Sequence, residues 1–124
     1  MKVVDSSGWL EYFSGTPRAD FFADAINDIG NLLVPVITLY EVFKKISVER
    51  GRPAAMQAIV AMRMGKVVHL TDEIALAAAS LSLKHKLPMA DAMILASSKH
   101  YHAVLLTQDA HFQGVEGVVF IPNV

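Results

Sequence analysis

The chain has no cysteine, a single tryptophan, five prolines and a net charge of only −1 with histidine neutral. The missing thiols exclude disulfides, zinc–thiolate sites and cysteine nucleophiles together, and cytoplasmic residence is the natural reading. Eleven Lys and Arg stand against twelve Asp and Glu, a balance that excludes a generic polyanion binder. No stretch approaches the roughly 20 apolar residues that a membrane helix needs, and the opening Met1-Lys2-Val3-Val4-Asp5 lacks a signal-peptide layout. Neither a Gly-rich phosphate loop nor a dinucleotide fingerprint occurs, and the Gly-x-Ser-x-Gly elbow of serine hydrolases is absent. Repeats, linkers and low-complexity segments are missing too. What the chain does have is apolar residues, 53% of 124, above the usual share. That length builds one domain with a real core, residues 1–124, and is too short for two.

Strand and helix signals alternate along it. Lys2 to Asp5 reads as a short buried strand, and Ser6-Ser7 offers the cap of a helix ending near Gly15. Thr16-Pro17 starts a second helix to Gly30, and Leu32-Leu33-Val34 is a strand closed by Pro35. Leu39, Val42, Phe43 and Ile46 make a helical stripe between Ile37 and Arg50. Pro53 opens a helix to Met64, Lys66 to Leu70 is a third strand, and Thr71 caps an alanine-rich helix to His85. Pro88 initiates the next helix; Ala103–Thr107 and Val118–Ile121 complete the strands. Strands that are apolar throughout, separated by helices, predict an α/β fold with a mostly parallel sheet of four to five strands covered on both faces.

Among twelve acids, most have ordinary explanations. Asp20, Asp24 and Asp28 recur every four residues on the wet face of a helix, Asp72-Glu73 opens one, and Glu49 lies beside Arg50 near a helix end. Glu11 and Glu116 have no special context. Asp5, Glu41, Asp91 and Asp109 are different: each is embedded in or abuts an apolar stretch at a junction of elements. An ionised carboxylate there loses several kcal/mol of solvation unless it is paired, protonated or metal-bound. No Arg or Lys lies close in sequence to Asp5, Asp91 or Asp109. Mg²⁺ and Mn²⁺ take oxygen ligands, so an acidic metal-binding site is the leading expectation. Asp5 and Asp109 follow strand ends, where open α/β folds gather ligands.

Taken singly, each acid has a plainer use. Asp91 suits a helix N-terminus, Glu41 with Lys45 is an i,i+4 pair, and Asp5 and Asp109 could each cap a helical turn. His69, His85, His100, His102 and His111 show no paired ligand spacing beyond His100-Tyr101-His102. Basic residues concentrate mid-chain at Lys44-Lys45, Arg50–Arg52, Arg63–Lys66 and Lys84–Lys86, which reads either as solvated helix faces or as a basic rim suited to a phosphodiester. Met56, Met62 and Met64 with Ile59 and Val60 read as core or as a partner surface.

The order and spacing of Val3-Val4-Asp5-Ser6-Ser7, Thr38-Leu39-Tyr40-Glu41-Val42, Pro88-Met89-Ala90-Asp91-Ala92 and Leu105-Leu106-Thr107-Gln108-Asp109 with Phe112 resemble PIN-domain ribonucleases, and more closely the VapC toxins of toxin–antitoxin pairs. The resemblance spans nearly the whole chain. It implies a three-layer α/β/α fold, an acidic pocket for Mg²⁺ or Mn²⁺, endonucleolytic RNA cleavage, a homodimer and inhibition by a small VapB-like antitoxin. Asp5, Glu41, Asp91 and Asp109 match the family's four acids, Thr107 its hydroxyl residue before the last acid, and Ser6 a hydroxyl beside the first. Asp5, Asp91 and Asp109 are then expected as metal ligands, with Glu41 a further ligand or the group that positions the attacking water. Gln108 departs from the Asn or Arg of many relatives, which puts its contact with substrate in doubt. Two alternatives stay open. A phosphotransferase with Asp5 as nucleophile usually needs a second Asp where this chain has Ser7, and a nucleic-acid-binding module would keep the pocket without cleavage.

Overall fold

The computed structural model describes residues 1–122. Five short strands, β1 (Lys2–Val4), β2 (Leu32–Pro35), β3 (Lys66–Val68), β4 (Val104–Thr107) and β5 (Val118–Phe120), run parallel in the order β3-β2-β1-β4-β5. Successive side chains of a strand point to opposite faces. Val3, Leu33 and Leu105 therefore enter one core, while Val4, Leu32 and Val34 enter another. Each fully buried Leu among them stabilises the fold by about 1.5–3 kcal/mol.

Helices α1 (Ser6–Ser14), α2 (Asp20–Asn27), α3 (Val36–Arg50) and α4 (Arg52–Met62) cover one face; Trp9, Phe22, Val42, Ala55 and Met62 fill the space beneath them. Helices α5 (Asp72–His85) and α6 (Met89–His100) cover the other through Ile74, Ala78, Ile94 and Leu95. The result is the expected three-layer α/β/α arrangement.

Several local expectations need correction. The cap of α1 is Asp5, not Ser6-Ser7: the Asp5 carboxylate accepts from Gly8 N at 2.9 Å. The helix expected from Thr16 to Gly30 is divided. Two 3-10 turns, Pro17–Ala19 and Ile29–Asn31, flank α2, and Asp28 leaves helical geometry at φ −85°, ψ 67°. The third strand stops at Val68 instead of Leu70. Lys45 pairs with Glu49 at 3.2 Å, which leaves Glu41 to another partner. The methionines divide by burial: Met62 is in the core, whereas Met56 and Met64 are exposed.

Chain order positions the site. The path steps from β1 outward through β2 to β3, then returns to place β4 on the other side of β1. The crevice beyond the carboxyl ends of β1 and β4 is the topological switch point of the sheet, the usual ligand position in such folds.

Candidate metal centre

Asp5 follows the last residue of β1 and is 2% exposed. Its backbone N–H continues the ladder to Leu106 O at 3.1 Å, while its carboxylate caps α1. Ser7 Oγ donates to Oδ1 at 2.8 Å and to Oδ2 at 3.0 Å, and Thr107 Oγ1 donates to Oδ2 at 2.5 Å. A carboxylate has about four lone-pair positions, so Asp5 has little capacity left beyond one further contact. Burial pushes its pKa up from 3.8 to about 6, against the lowering effect of the Thr107, Gly8 and Ser7 hydrogen bonds, and Asp109 adds repulsion.

Thr107, the last residue of β4, is fully buried and links two acids. While its hydroxyl donates to Asp5, the same oxygen accepts from Asp109 N at 2.9 Å. Asp109 then caps a 3-10 turn, Ala110–Phe112, by accepting from His111 N at 2.9 Å. Buried Phe112 pins the end of that turn. The expectation of a small helical cap at Asp109 holds alongside its place in the acidic cluster.

Asp91 arrives from the first turn of α6, its side chain 14% exposed. Burial is the largest cause of its pKa rise from 3.8 to about 6, followed by repulsion from Asp109; Glu41 adds a smaller push, and His111 opposes both. Glu41 comes from α3 and accepts from Ser6 Oγ at 2.6 Å, so the Ser6 hydroxyl serves Glu41, and it is Ser7 whose hydroxyl lies on the first acid, Asp5. Asp109 thus bears on Asp5 and Asp91, and Glu41 on Asp91. Among the described residues, no Lys or Arg forms an ion pair with any of the four.

The tightest convergence is Asp91, Asp109 and His111, which each offer a donor atom within 4.8 Å of the others. Asp5 and Glu41 lie outside that trio and join through Thr107 and through repulsion. His111 escapes a search for His–His spacings; its signal is the Asp109-x-His111 pair in one short turn. Its Nδ1 lies 3.0 Å from Asp91 Oδ2 and 3.1 Å from Asp109 Oδ1. Oxygen donors with one imidazole suit a hard to borderline divalent cation, so the residues fit Mg²⁺ or Mn²⁺.

Gln108 faces away from this chemistry. It accepts from Arg18 Nε at 2.9 Å and donates to Glu11 Oε1 at 3.0 Å, while Arg18 also donates to Ile121 O at 3.2 Å and Pro122 O at 2.8 Å. Glu11, unremarkable in the sequence, is the acceptor of that network. Hydrogen bonds from Thr16 and Gln108 hold its pKa below the usual carboxylate value. Of the basic residues, Lys44 and Lys45 share a surface depression with Glu41, whereas Arg50 donates to Phe13 O at 3.4 Å and Arg52 lies over the Phe43 ring.

The family profile of the PIN domain matches residues 2–118, and this chain belongs to the PIN domain family. A search of curated proteins finds no match. Solved structures do resemble it. A toxin–antitoxin complex from Klebsiella pneumoniae superimposes with a TM-score of 0.81 at 21% identity over 96% of each chain. VapC20 of Mycobacterium tuberculosis, described as a sarcin–ricin loop cleaving toxin, gives 0.69 at 19% identity over 83% of this chain and 85% of its own. DNA-bound VapBC from Salmonella typhimurium gives 0.76 at 12% identity over 98% and 96%. At these identities the likeness is one of fold.

Proposed function

We propose that this chain is an endoribonuclease dependent on Mg²⁺ or Mn²⁺, acting in the cytoplasm as the toxin of a toxin–antitoxin pair, with all 124 residues forming one nuclease domain. The observation that carries the reading is a set of four carboxylates linked by repulsion at the sheet's switch point, with no Lys or Arg ion-paired to them among the described residues, in a PIN-family chain. The relatives described as toxins, one of them cutting RNA, support the substrate class.

Asp91 and Asp109 would supply the principal carboxylate ligands, with Asp5 adding one contact directly or through water. When bound, the ion supplies an activated water and offsets charge on the phosphodiester oxygens. Thr107 holds Asp5 and the Asp109 backbone in register. Glu41 has one oxygen committed to Ser6, which leaves the other to orient an attacking water and take its proton. Lys44 and Lys45 beside it would receive the flanking phosphate charge.

Two surfaces support the partners. A groove of about 570 Å³ between α3 and α4 is lined by Leu39, Tyr40, Phe43, Val48 and Met56, with Lys44 and Arg63 at its rim. It suits an apolar antitoxin segment flanked by acids, and through Tyr40 it adjoins the depression containing Glu41. On the opposite layer, α5 exposes Leu76 and Leu83 one heptad apart. Its first turn carries Asp72 and Glu73, its last Lys84 and His85. Two copies of α5 packed antiparallel would set each acidic end against a basic one, which fits a two-fold homodimer.

The test is cleavage of single-stranded RNA with Mg²⁺ or Mn²⁺, repeated with EDTA. Cleavage should require the metal, and Asp91→Asn should lower it by about two orders of magnitude or more with the circular dichroism unchanged. Metal-independent cutting would contradict the assignment. RNA binding without cutting under any metal would favour the alternative, a PIN-like nucleic-acid-binding module.

A further inference from the structure

We infer that His111 is itself a ligand of the divalent ion, through Nδ1, and that this nitrogen tilts the site toward Mn²⁺ over Mg²⁺. The inference rests on the metal-dependent reading above and goes beyond its four carboxylates.

Geometry is the first argument. The Nδ1 atom of His111 is 3.0 Å from Asp91 Oδ2 and 3.1 Å from Asp109 Oδ1. The ring, hydrogen-bonded to Asp91 Oδ2, thus has one nitrogen next to a carboxylate oxygen from each of two elements. All three donors fall within 4.8 Å of one another, and no other group of three or more His, Asp or Glu residues does so among those described.

The second argument is how the ring is held. Its backbone N–H donates to Asp109 Oδ1 at 2.9 Å, and the following residue, Phe112, is fully buried. Both ends of the residue's backbone are therefore tied while the side chain stays 57% exposed. The ring lies against two carboxylates from separate elements, α6 and the turn after β4. With an ion present, the neutral tautomer carrying its proton on Nε2 offers the Nδ1 lone pair from the same place.

Donor chemistry sets the selectivity. Carboxylate and water ligands serve Mg²⁺ and Mn²⁺ alike, but an imidazole favours the first-row transition ion over the harder Mg²⁺. The second metal-facing residue of this turn thus discriminates between ions that the acids alone would treat similarly.

The experiment uses untagged full-length protein, loaded with stoichiometric Mn²⁺, and His111→Gln. Electron spin-echo envelope modulation should show ¹⁴N coupling from one imidazole in the native chain and none in the variant. Calorimetric titration should show Mn²⁺ affinity falling by about 10-fold or more in His111→Gln, with Mg²⁺ affinity changing less. Bound Mn²⁺ without ¹⁴N coupling, coupling that survives His111→Gln, or an unchanged Mn²⁺/Mg²⁺ affinity ratio would each overturn the inference while leaving the carboxylate site standing. Failure of the native chain to bind either ion would overturn the metal-dependent reading as well.

Discussion

Asp5 and Asp91 are acids held against their solvation preference, and this has a consequence for pH. Both have folded-state pKa values raised from 3.8 to about 6. Between those values the folded chain binds more protons than the unfolded one, so stability falls as pH rises. The contribution is complete below about pH 4 and gone above about pH 6 to 7. His111, raised from 6.5 chiefly by Asp109 and by its hydrogen bond to Asp91, acts in the same direction at the upper end. Glu11, held low, acts oppositely, but below its ordinary value of 4.5. In EDTA the midpoint of thermal unfolding should therefore drop between pH 5 and pH 7.5, and Asp5→Asn should flatten the drop. Added Mn²⁺ should restore stability at pH 7.5, by linkage of binding to the folded state. A flat profile in the native chain would remove burial as the cause.

At the scale of single elements, the start of α1 explains how an acid can be kept so deeply buried. A Cβ on Gly8 would lie 2.6 Å from Val4 Cγ1 and 2.8 Å from the Phe22 ring. Only glycine lets the helix approach β1 closely enough for Gly8 N to reach Asp5 Oδ1. Gly8→Ala would gain helix propensity, yet overpacking of this kind costs about 1–3 kcal/mol. The expected result is a lower urea midpoint together with reduced RNA cleavage, since Asp5 loses its backbone donor. Unchanged stability and activity would mean that Val4 and Phe22 both yield without cost. The same element shows the limit of local reading. Ser6 and Ser7 look like caps, but Asp5 takes that place and the two hydroxyls turn to Glu41 and Asp5.

For the whole molecule, the two helical layers divide the proposed tasks. The α3–α4 side carries the apolar groove beside Glu41, and the α5 side carries Leu76 and Leu83, 71% and 85% exposed. If α5 joins two copies, Leu83→Glu places an acid on the shared face near each copy's partner Asp72 and Glu73. Light scattering should then report a monomer where the native chain gives a dimer, with metal-dependent cleavage measured in parallel. A native mass equal to one chain, or a dimer untouched by the substitution, would exclude this face.

Periodicity and punctuation were enough to place every strand, most helix ends and the fold class, because these depend on neighbours within a few residues. The four acids were also legible, since an ionisable group inside an apolar segment is conspicuous wherever the chain later goes. Tertiary structure decided the rest. That Ser6 turns to Glu41, that Thr107 ties Asp5 to Asp109, and that Gln108 joins Arg18 and Glu11 depends on which elements the sheet order makes neighbours. His111 is the clearest case: one of its partners is two residues away, the other twenty. Local sequence shows a histidine after an acid, but only the packing of α6 beside β4 brings Asp91 to the ring.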